Sequence, residues 1–370
     1  MLNADSRLEK NLEVDKEAKL IAARFGFLLQ EVKPYRAQTY RAKALNKQEK
    51  QVELLLKWQE LPEQAELLKL SQLAQDRVLN CLSNCGYKQV PNRFLAETKE
   101  PFFQLGNRLW TCQSYVFSET TYDWLHFNVS SPHCFLAGQA LSQIHNAGSR
   151  LTRETPDLID IRLAADNLRT FHDELKSSIS RLLSRQNNLY SLFQNHEEKP
   201  SLEVERNKSL DILMQIKFDN VIEKSRSLCA KLIHMEKNSQ TTINHGDYHP
   251  GNLLFSKNSV DAVIDWEFLN VGSGINDLTY ALFMFCLNPP KRGQASSQLF
   301  DSRKTEAFLE GYTRASSTVK NIERLSSYTE YVHLLMLAWV CNELCSESSK
   351  YKSHEAFPGL VRSLAYCCAA

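Results

Sequence analysis

The sequence has almost no excess charge of either sign: 44 Lys and Arg stand against 43 Asp and Glu over 370 residues, a formal balance of +1. That balance supplies no bulk attraction to nucleic acid or to an anionic membrane surface, so neither is expected as a partner and recognition must come from a built site. Long apolar runs are also lacking. The most apolar windows, residues 280–287 and 332–341, fall well short of the roughly 18 apolar residues that mark a membrane span. The opening MLNADSRLEKNLEVDKEAK is charged from the start and has no apolar core of the kind a secretory signal carries, so a cytoplasmic location is expected. Glycine is missing throughout residues 156–236, which removes the usual helix stops there. No internal repeat and no low-complexity tract is present.

Ten cysteines are scattered along the chain, without the density of a short secreted disulfide scaffold, and fit a reduced compartment. Cys81/Cys85 and Cys341/Cys345 are each four apart and would each share a helix face. They could offer paired metal ligands, but a free cysteine behaves as a small buried apolar residue, and core packing is the expectation. Cys367 and Cys368 fall in what reads as a frayed tail.

The order of elements predicts an α+β fold in two parts. Residues 13–25 read as a short helix. FLLQEVKPY (27–35), TYRAKAL (39–45) and QVELLLKW (51–58) follow as strands, with a polar turn at 46–50. A helix is expected from Pro62 to Ser83, ending at Gly86. Two further strands at 102–104 and 109–117 meet at the Gly106–Asn107 turn. Residues 1–118 thus form a small, mostly antiparallel β lobe, and 119–370 a larger, mainly helical lobe. In the latter, Leu136, Ala140 and Ile144 recur at spacings of four, and Leu168, Phe171, Leu175, Ile179 and Leu182 at three and four. Leu325, Tyr328, Val332, Leu335 and Trp339 form a third stripe. Breaks are expected at 194–201 and in the exposed loop 288–297.

Reactive side chains concentrate in NHGDYHPGN (244–252), followed by LLFSKNSVDAVIDWE. Gly246, Pro250 and Gly251 exclude a regular helix or central strand, so this is a loop that presents side chains. Residues 253–255 and 262–264 read as short strands around a turn at 256–259. A hairpin brings its open ends together, so Asn252 and Asp265 are expected to be neighbours. Phosphoryl transfer needs a carboxylate to orient or receive the proton of the attacking hydroxyl, and oxygen ligands for Mg2+ on the phosphates. Asp247, Asn252 and Asp265 supply those groups in order. The Asp247-to-Asn252 interval equals that of the protein-kinase loop H-R-D-x-x-x-x-N, and Asp265 stands where D-F-G has its Asp.

His245-Gly246-Asp247-x-His249-x-x-Asn252 with Ile264-Asp265-Trp266-Glu267 resembles the aminoglycoside phosphotransferase and choline kinase superfamily, which has a protein-kinase-like two-lobe fold. The resemblance implies transfer of the γ-phosphoryl group of Mg-ATP or Mg-GTP to a hydroxyl of a small molecule, such as an aminoglycoside, amino alcohol, sugar or homoserine-like metabolite. It makes Asp247 the catalytic base, His245 a loop-organising residue, and Asn252 and Asp265, within 262–267, the magnesium ligands. His249 takes a structural role by the same likeness. Asp277, in GINDLTYALF, resembles the Asp that opens the next helix, where it reads equally well as an N-terminal cap.

More weakly, AGQALSQIH (137–145) resembles the helix opening the large lobe. Lys57 is placed like the strand lysine on the nucleotide phosphates, with Lys43 as its competitor and Glu66 or Glu63 as the pairing acid. Backbone around 113–116, including Gln113 and Tyr115, would hold the nucleotide base. No Gly-rich turn covers the phosphates; YRAQT (35–39) stands there instead. Glu154, Asp157, Asp160, Glu343 and Glu347 could form an acidic acceptor pocket, although exposed helix acids would look the same. Two other functions compete: a metallohydrolase using His245, Asp247 and His249 on one face of an extended segment, and a kinase-fold binding protein that has lost catalysis.

Overall fold

The computed structural model describes residues 16–36, 38–63, 65–124, 128–154, 163–189, 200–288, 300–315, 324–346, 349 and 357–369. The chain divides into two compact units. One runs to Glu119 and adds Asp261–Ile264, and the other holds most of the remainder from Thr120 onward.

The first unit is built on a five-stranded antiparallel sheet of order β1-β2-β3-β5-β4. Its strands are β1 (Leu28–Arg36), β2 (Thr39–Leu45), β3 (Gln51–Glu60), β4 (Phe103–Leu105) and β5 (Arg108–Ser114). Helix α1 (16–24) precedes β1. Alternation fixes the buried face: Ala42 and Ala44, Leu54 and Leu56, Trp110 and Cys112 point one way, and Ala18, Ile21, Ala22 and Phe25 from α1 and the turn after it close over them. Strand β2 matches the span expected from sequence. Strand β5 stops at Ser114, three residues before the expected end, although the Tyr115 N–H carries the β3–β5 register one step further with a bond to Glu53 O at 2.9 Å. Helix α2 (Ala65–Asn84) starts three residues later than Pro62.

The second unit is mainly helical. It comprises α3 (Ser131–Glu154), α4 (Ala164–Ser184), α5 (Pro200–Met214), α6 (Phe218–Lys237), α7 (Gly274–Cys286), α8 (Ser302–Ala315), α9 (Leu325–Cys345) and α10 (Phe357–Ala369). The α4 stripe Leu168, Phe171, Leu175, Ile179, Leu182 is buried at every position. Helices α3 and α8 meet backbone to backbone: a Cβ on Gly311 would stand 2.0 Å from Phe135 O, and one on Gly138 2.1 Å from Phe308 O. Helix α9 corrects the stripe read from sequence. It is buried on nearly all sides, with Leu335 and Trp339 only half-buried, because it is a central helix and not a surface one. Cys367 and Cys368 belong to α10 and not to a frayed tail, and burial pushes both thiols up to about 12. All ten cysteines are free. The expected break at 194–201 lies outside the described residues up to 199, and α5 already begins at Pro200; the expected loop 288–297 lies outside them from residue 289. No helix among the described residues is long and apolar enough to cross a membrane.

Two short strand pairs complete the chain: β6 (Thr242–Asn244) with β9 (Asn270–Gly272), and β7 (Leu253–Phe255) with β8 (Val260–Val263). They bracket the polar loop.

Candidate active site

Residues 245–252 leave β6 as a loop whose shape is set by buried side chains. Gly246 has φ +82°, and a Cβ there would fall 2.1 Å from Phe268 O and 2.9 Å from Asn270 Nδ2. Only glycine permits this approach to the segment that carries Asp265. Asn244 and Asn270 face each other across the β6–β9 ladder, joined by Nδ2 of the first to Oδ1 of the second at 3.0 Å.

The loop backbone is held from α7. Asp277 is buried, and its carboxylate accepts from the His245 N–H at 2.8 Å and the Gly246 N–H at 3.0 Å. His145 Nε2 lies 3.3 Å from the same carboxylate, and His145 Nδ1 is 2.7 Å from the Tyr312 hydroxyl. Burial pushes the Asp277 carboxyl up, but the bond and charge of His145 outweigh it and leave the group below the usual carboxylate range. Asp277 is therefore not the helix cap suggested by sequence. The cap position belongs to Ser273, and Asp277 instead satisfies two loop donors that would otherwise be buried without partners.

The two loop histidines also serve the backbone. His245 Nδ1 accepts from the Asp247 N–H at 3.2 Å, and its ring lies against Trp266 with centroids 4.6 Å apart. His249 Nδ1 accepts from the Gly251 N–H at 3.0 Å and caps the single 3-10 turn Pro250–Asn252.

Asp247 is the focus of the remaining contacts. Its Oδ1 accepts from the Tyr280 hydroxyl at 2.9 Å. Asn252 Nδ2 donates to Asp247 O at 2.9 Å and to Oδ2 at 3.2 Å, while His249 Nε2 lies 3.4 Å from Oδ2. Burial raises the Asp247 carboxyl, and His249, helped by His245 and Tyr280, more than offsets it, so the group is held below the usual range. Asp247 is consequently a carboxylate at neutral pH, able to accept a proton.

Asp265 is exposed at the start of a 3-10 turn, in the left-handed region at φ 63° and ψ 59°. This conformation is uncommon for a non-glycine residue, although Asp adopts it more readily than most, and Gln38, Glu49 and Lys99 share the positive φ. The structure thus gathers Asp247, His245, His249 and Asn252 into one hydrogen-bonded loop, with Asp265 one residue before the Trp266 that packs on His245. The oxygen-rich donor set of Asn252 and Asp265 fits a hard divalent cation. The side-chain hydrogen bonds of Asn252 use Nδ2 and leave its amide oxygen to face a cation. Among the described residues, no three His, Cys, Asp or Glu side chains are grouped to hold a metal ion, and His245 and His249 commit Nδ1 to the backbone. That argues against the metallohydrolase.

In the first unit, Lys57 pairs in register with Thr39 and Thr111 on the central strand β3. Lys43 is ion-paired with Glu31 at 3.2 Å. Glu66 is largely exposed and pairs with Lys69 at 2.9 Å, one turn along α2; Glu63 is exposed before α2. Gln113 pairs with Leu55 on β3. Tyr115 carries the Arg41 guanidinium over its ring at 4.0 Å, and Arg41 in turn pairs with Glu53 at 2.7 Å. Of the acids suggested for an acceptor pocket, Glu154 is exposed and Glu343 accepts from Ser349, while Asp157, Asp160 and Glu347 lie outside the described residues.

Sequence reasoning missed Tyr280 and His145. Tyr280 sits three residues after Asp277 inside an apolar helix, and only the folded contact distinguishes it from a core aromatic.

A five-stranded antiparallel unit followed by a helical unit, with this loop leading through a hairpin to Ile-Asp-Trp-Glu, defines a protein-kinase-like phosphotransferase. The chain belongs to the phosphotransferase enzyme family (APH), which it matches over residues 29–326, and its class is that of a kinase acting on small-molecule hydroxyl groups. No curated protein matches it.

Solved structures that share the fold include the following three. Spectinomycin phosphotransferase APH(9)-Ia, in complex with ADP and spectinomycin, is 16% identical with a TM-score of 0.57, over 96% of this chain and 98% of that one. Amicoumacin kinase hAmiN, in complex with AMP-PNP, Ca2+ and Ami, is 15% identical with a TM-score of 0.58, over 90% and 86%. An aminoglycoside phosphotransferase from Alicyclobacillus acidocaldarius is 11% identical with a TM-score of 0.54, over 94% and 93%.

Proposed function

We propose that this protein transfers the γ-phosphoryl group of ATP or GTP to a hydroxyl of a small metabolite, with Asp247 as the general base. The observation that carries this reading is the Asp247 carboxylate, kept ionised and fixed through both oxygens by Tyr280, Asn252 and His249. In the reaction, the acceptor oxygen bonds to the γ-phosphorus and the bond from that phosphorus to the β–γ bridging oxygen breaks. The electron pair leaves with the nucleoside diphosphate, and the hydroxyl proton passes to Asp247. Asn252 and Asp265 are the proposed ligands for Mg2+, which when bound neutralises charge on the phosphates. His245 holds the Asp247 N–H, and Asp277 holds the two donors before it, so the base is placed by backbone and side chain together.

In the first unit, Lys57, in register with Thr39 and Thr111 on the central strand β3, is the proposed phosphate contact, with Lys43 as its competitor. Backbone at Gln113 and Tyr115 is proposed to meet the nucleotide base, with residues 1–118 as the nucleotide-binding lobe. Free cysteines support a reducing compartment, the cytoplasm, as the place of action.

The experiment is Asp247→Asn, with turnover and nucleotide affinity measured on the same protein. Proton acceptance contributes on the order of 10²–10⁴ in rate, so turnover should fall by at least a hundredfold with nucleotide affinity within about threefold of wild type. Undiminished turnover removes Asp247 from the role. Nucleotide binding with no turnover by the wild-type protein on any hydroxylated acceptor favours the binding-protein reading.

A further inference from the structure

Tyr280 is not required by anything the loop needs for its shape. The backbone donors of 245–247 are met by Asp277 and His245, and that of Gly251 by His249. The Tyr280 side chain is buried on α7, yet its hydroxyl turns onto Asp247 Oδ1 at 2.9 Å. A second group bears on it: the Trp124 side chain acts on the same hydroxyl as a hydrogen-bond donor, opposing the rise that burial imposes on the phenol. Because an indole N–H can only donate, the Tyr280 oxygen accepts from Trp124 and directs its own hydrogen at Asp247. Trp124 is itself braced, 4.3 Å from Trp339 and 6.1 Å from His249 between ring centroids. All of these residues lie in the second unit.

The two Asp247 oxygens are unequally loaded. Oδ2 faces both Asn252 Nδ2 and His249 Nε2, while Oδ1 takes the Tyr280 hydroxyl. Each carboxylate oxygen accepts about two hydrogen bonds, so these partners fill Oδ2 and leave an acceptor position on Oδ1.

Resting on the reading of Asp247 as general base, we propose that Tyr280, oriented by Trp124, is a positioning residue that fixes the rotation of the Asp247 carboxylate and reserves Oδ1 as the oxygen that takes the acceptor hydroxyl's proton. Without the tyrosine hydroxyl the carboxylate is held on one side only. It can then turn Oδ1 away from the attacking oxygen, and small misplacements at a reacting centre cost large factors in rate.

The test uses the full-length protein with MgATP and MgGTP, and water as the phosphoryl acceptor, read as slow release of inorganic phosphate at high enzyme concentration. Nucleotide affinity and thermal midpoint are recorded in parallel. Tyr280→Phe keeps the ring and its packing and removes one bond to an ionised group. Hydrolytic kcat should fall about tenfold or more, with KM and Kd for nucleotide within about twofold and the thermal midpoint retained. Trp124→Phe, which keeps an aromatic ring but loses the donor, should give a smaller loss of kcat, about two- to fivefold, again without a change in nucleotide affinity.

Wild-type kcat in both variants overturns the inference, as does a loss that appears in nucleotide affinity and thermal midpoint instead of kcat. If Tyr280→Phe does not fold, Trp124→Phe decides alone by the same split. A wild-type protein that binds neither nucleotide defeats the phosphotransferase reading first. One that binds nucleotide but transfers phosphate neither to water nor to any hydroxylated acceptor favours the binding-protein reading and removes the role of Tyr280 with it.

Discussion

Replacing Asp277 with Asn tests how the catalytic loop is held. The carboxylate takes the His245 N–H on Oδ2 and the Gly246 N–H on Oδ1, with His145 Nε2 also on Oδ2. Asparagine has the same shape but one acceptor oxygen. Keeping that oxygen at Oδ2, where two partners meet, points the new NH2 at the Gly246 N–H, donor against donor. A bond to a charged group contributes about 1.5–3 kcal/mol, and a buried donor without a partner costs about 1–3 kcal/mol. These overlap, so a loss of about 2–4 kcal/mol is expected. For a unit of this size that lowers the midpoint of its transition by roughly 5–12 °C.

Urea titration and scanning calorimetry across pH supply the measurement. Burial raises the Asp277 carboxyl and His145 lowers it further, so its folded value lies below the ordinary 3.8. The stabilisation is therefore complete above that ordinary value and disappears as pH falls through the lower folded one. Wild type and variant should differ fully at pH 5–7 and begin to converge only below about pH 4. A variant within about 0.5 kcal/mol of wild type at pH 7, or a gap that widens in acid, refutes the carboxylate as the loop's anchor.

Other substitutions test other levels. Gly246→Ala forces a left-handed L-residue, at about 1–2 kcal/mol, and drives a Cβ to 2.1 Å from Phe268 O; stability should drop by more than that figure and turnover collapse, and wild-type kinetics would show that the close approach is dispensable. Leu175→Ala, at a fully buried α4 position, should cost about 2–5 kcal/mol in denaturant titration while leaving nucleotide affinity of the residual folded protein unchanged; a cost under 1 kcal/mol would move α4 out of the core. Lys57→Ala should weaken nucleotide binding at least tenfold, and Lys43→Ala by less than twofold; the reverse order in a binding titration would exchange their roles.

Much of the first unit is local in origin, and the sequence shows it. Thr39–Leu45 alternates Ala42 and Ala44 against polar neighbours, so the face and span of β2 follow from period alone. The same holds for α4, whose buried residues keep one helical stripe. Strands β6 and β9 were not legible because each is three residues long, and their pairing depends on chain 26 positions away through Asn244 and Asn270. Helix α9 misled because a helix buried on most sides has no single apolar stripe to read. In the site, Asp247, Asn252 and Asp265 stood out by residue type and spacing. The support behind them did not: Asp277, His145, Tyr312 and Tyr280 come from helices α3, α7 and α8 and act through contacts that span 32, 132, 167 and 33 positions. The sequence places Glu66 beside the end of β3, while its pairing with Lys69 one turn along α2 is visible only in the folded helix.

At the centre of the proposed activity is a nucleotide site that needs a divalent cation. The most direct measurement is the thermal midpoint with MgATP, MgGTP, either nucleotide with chelator, and neither, for wild type and Asp265→Ala. Nucleotide at 100 times its dissociation constant stabilises by about 2.7 kcal/mol. The wild-type midpoint should rise by several degrees only when nucleotide and Mg2+ are both present, and Asp265→Ala should abolish that rise. An unmoved wild-type midpoint with either nucleotide, or a full rise retained in the variant, would contradict it.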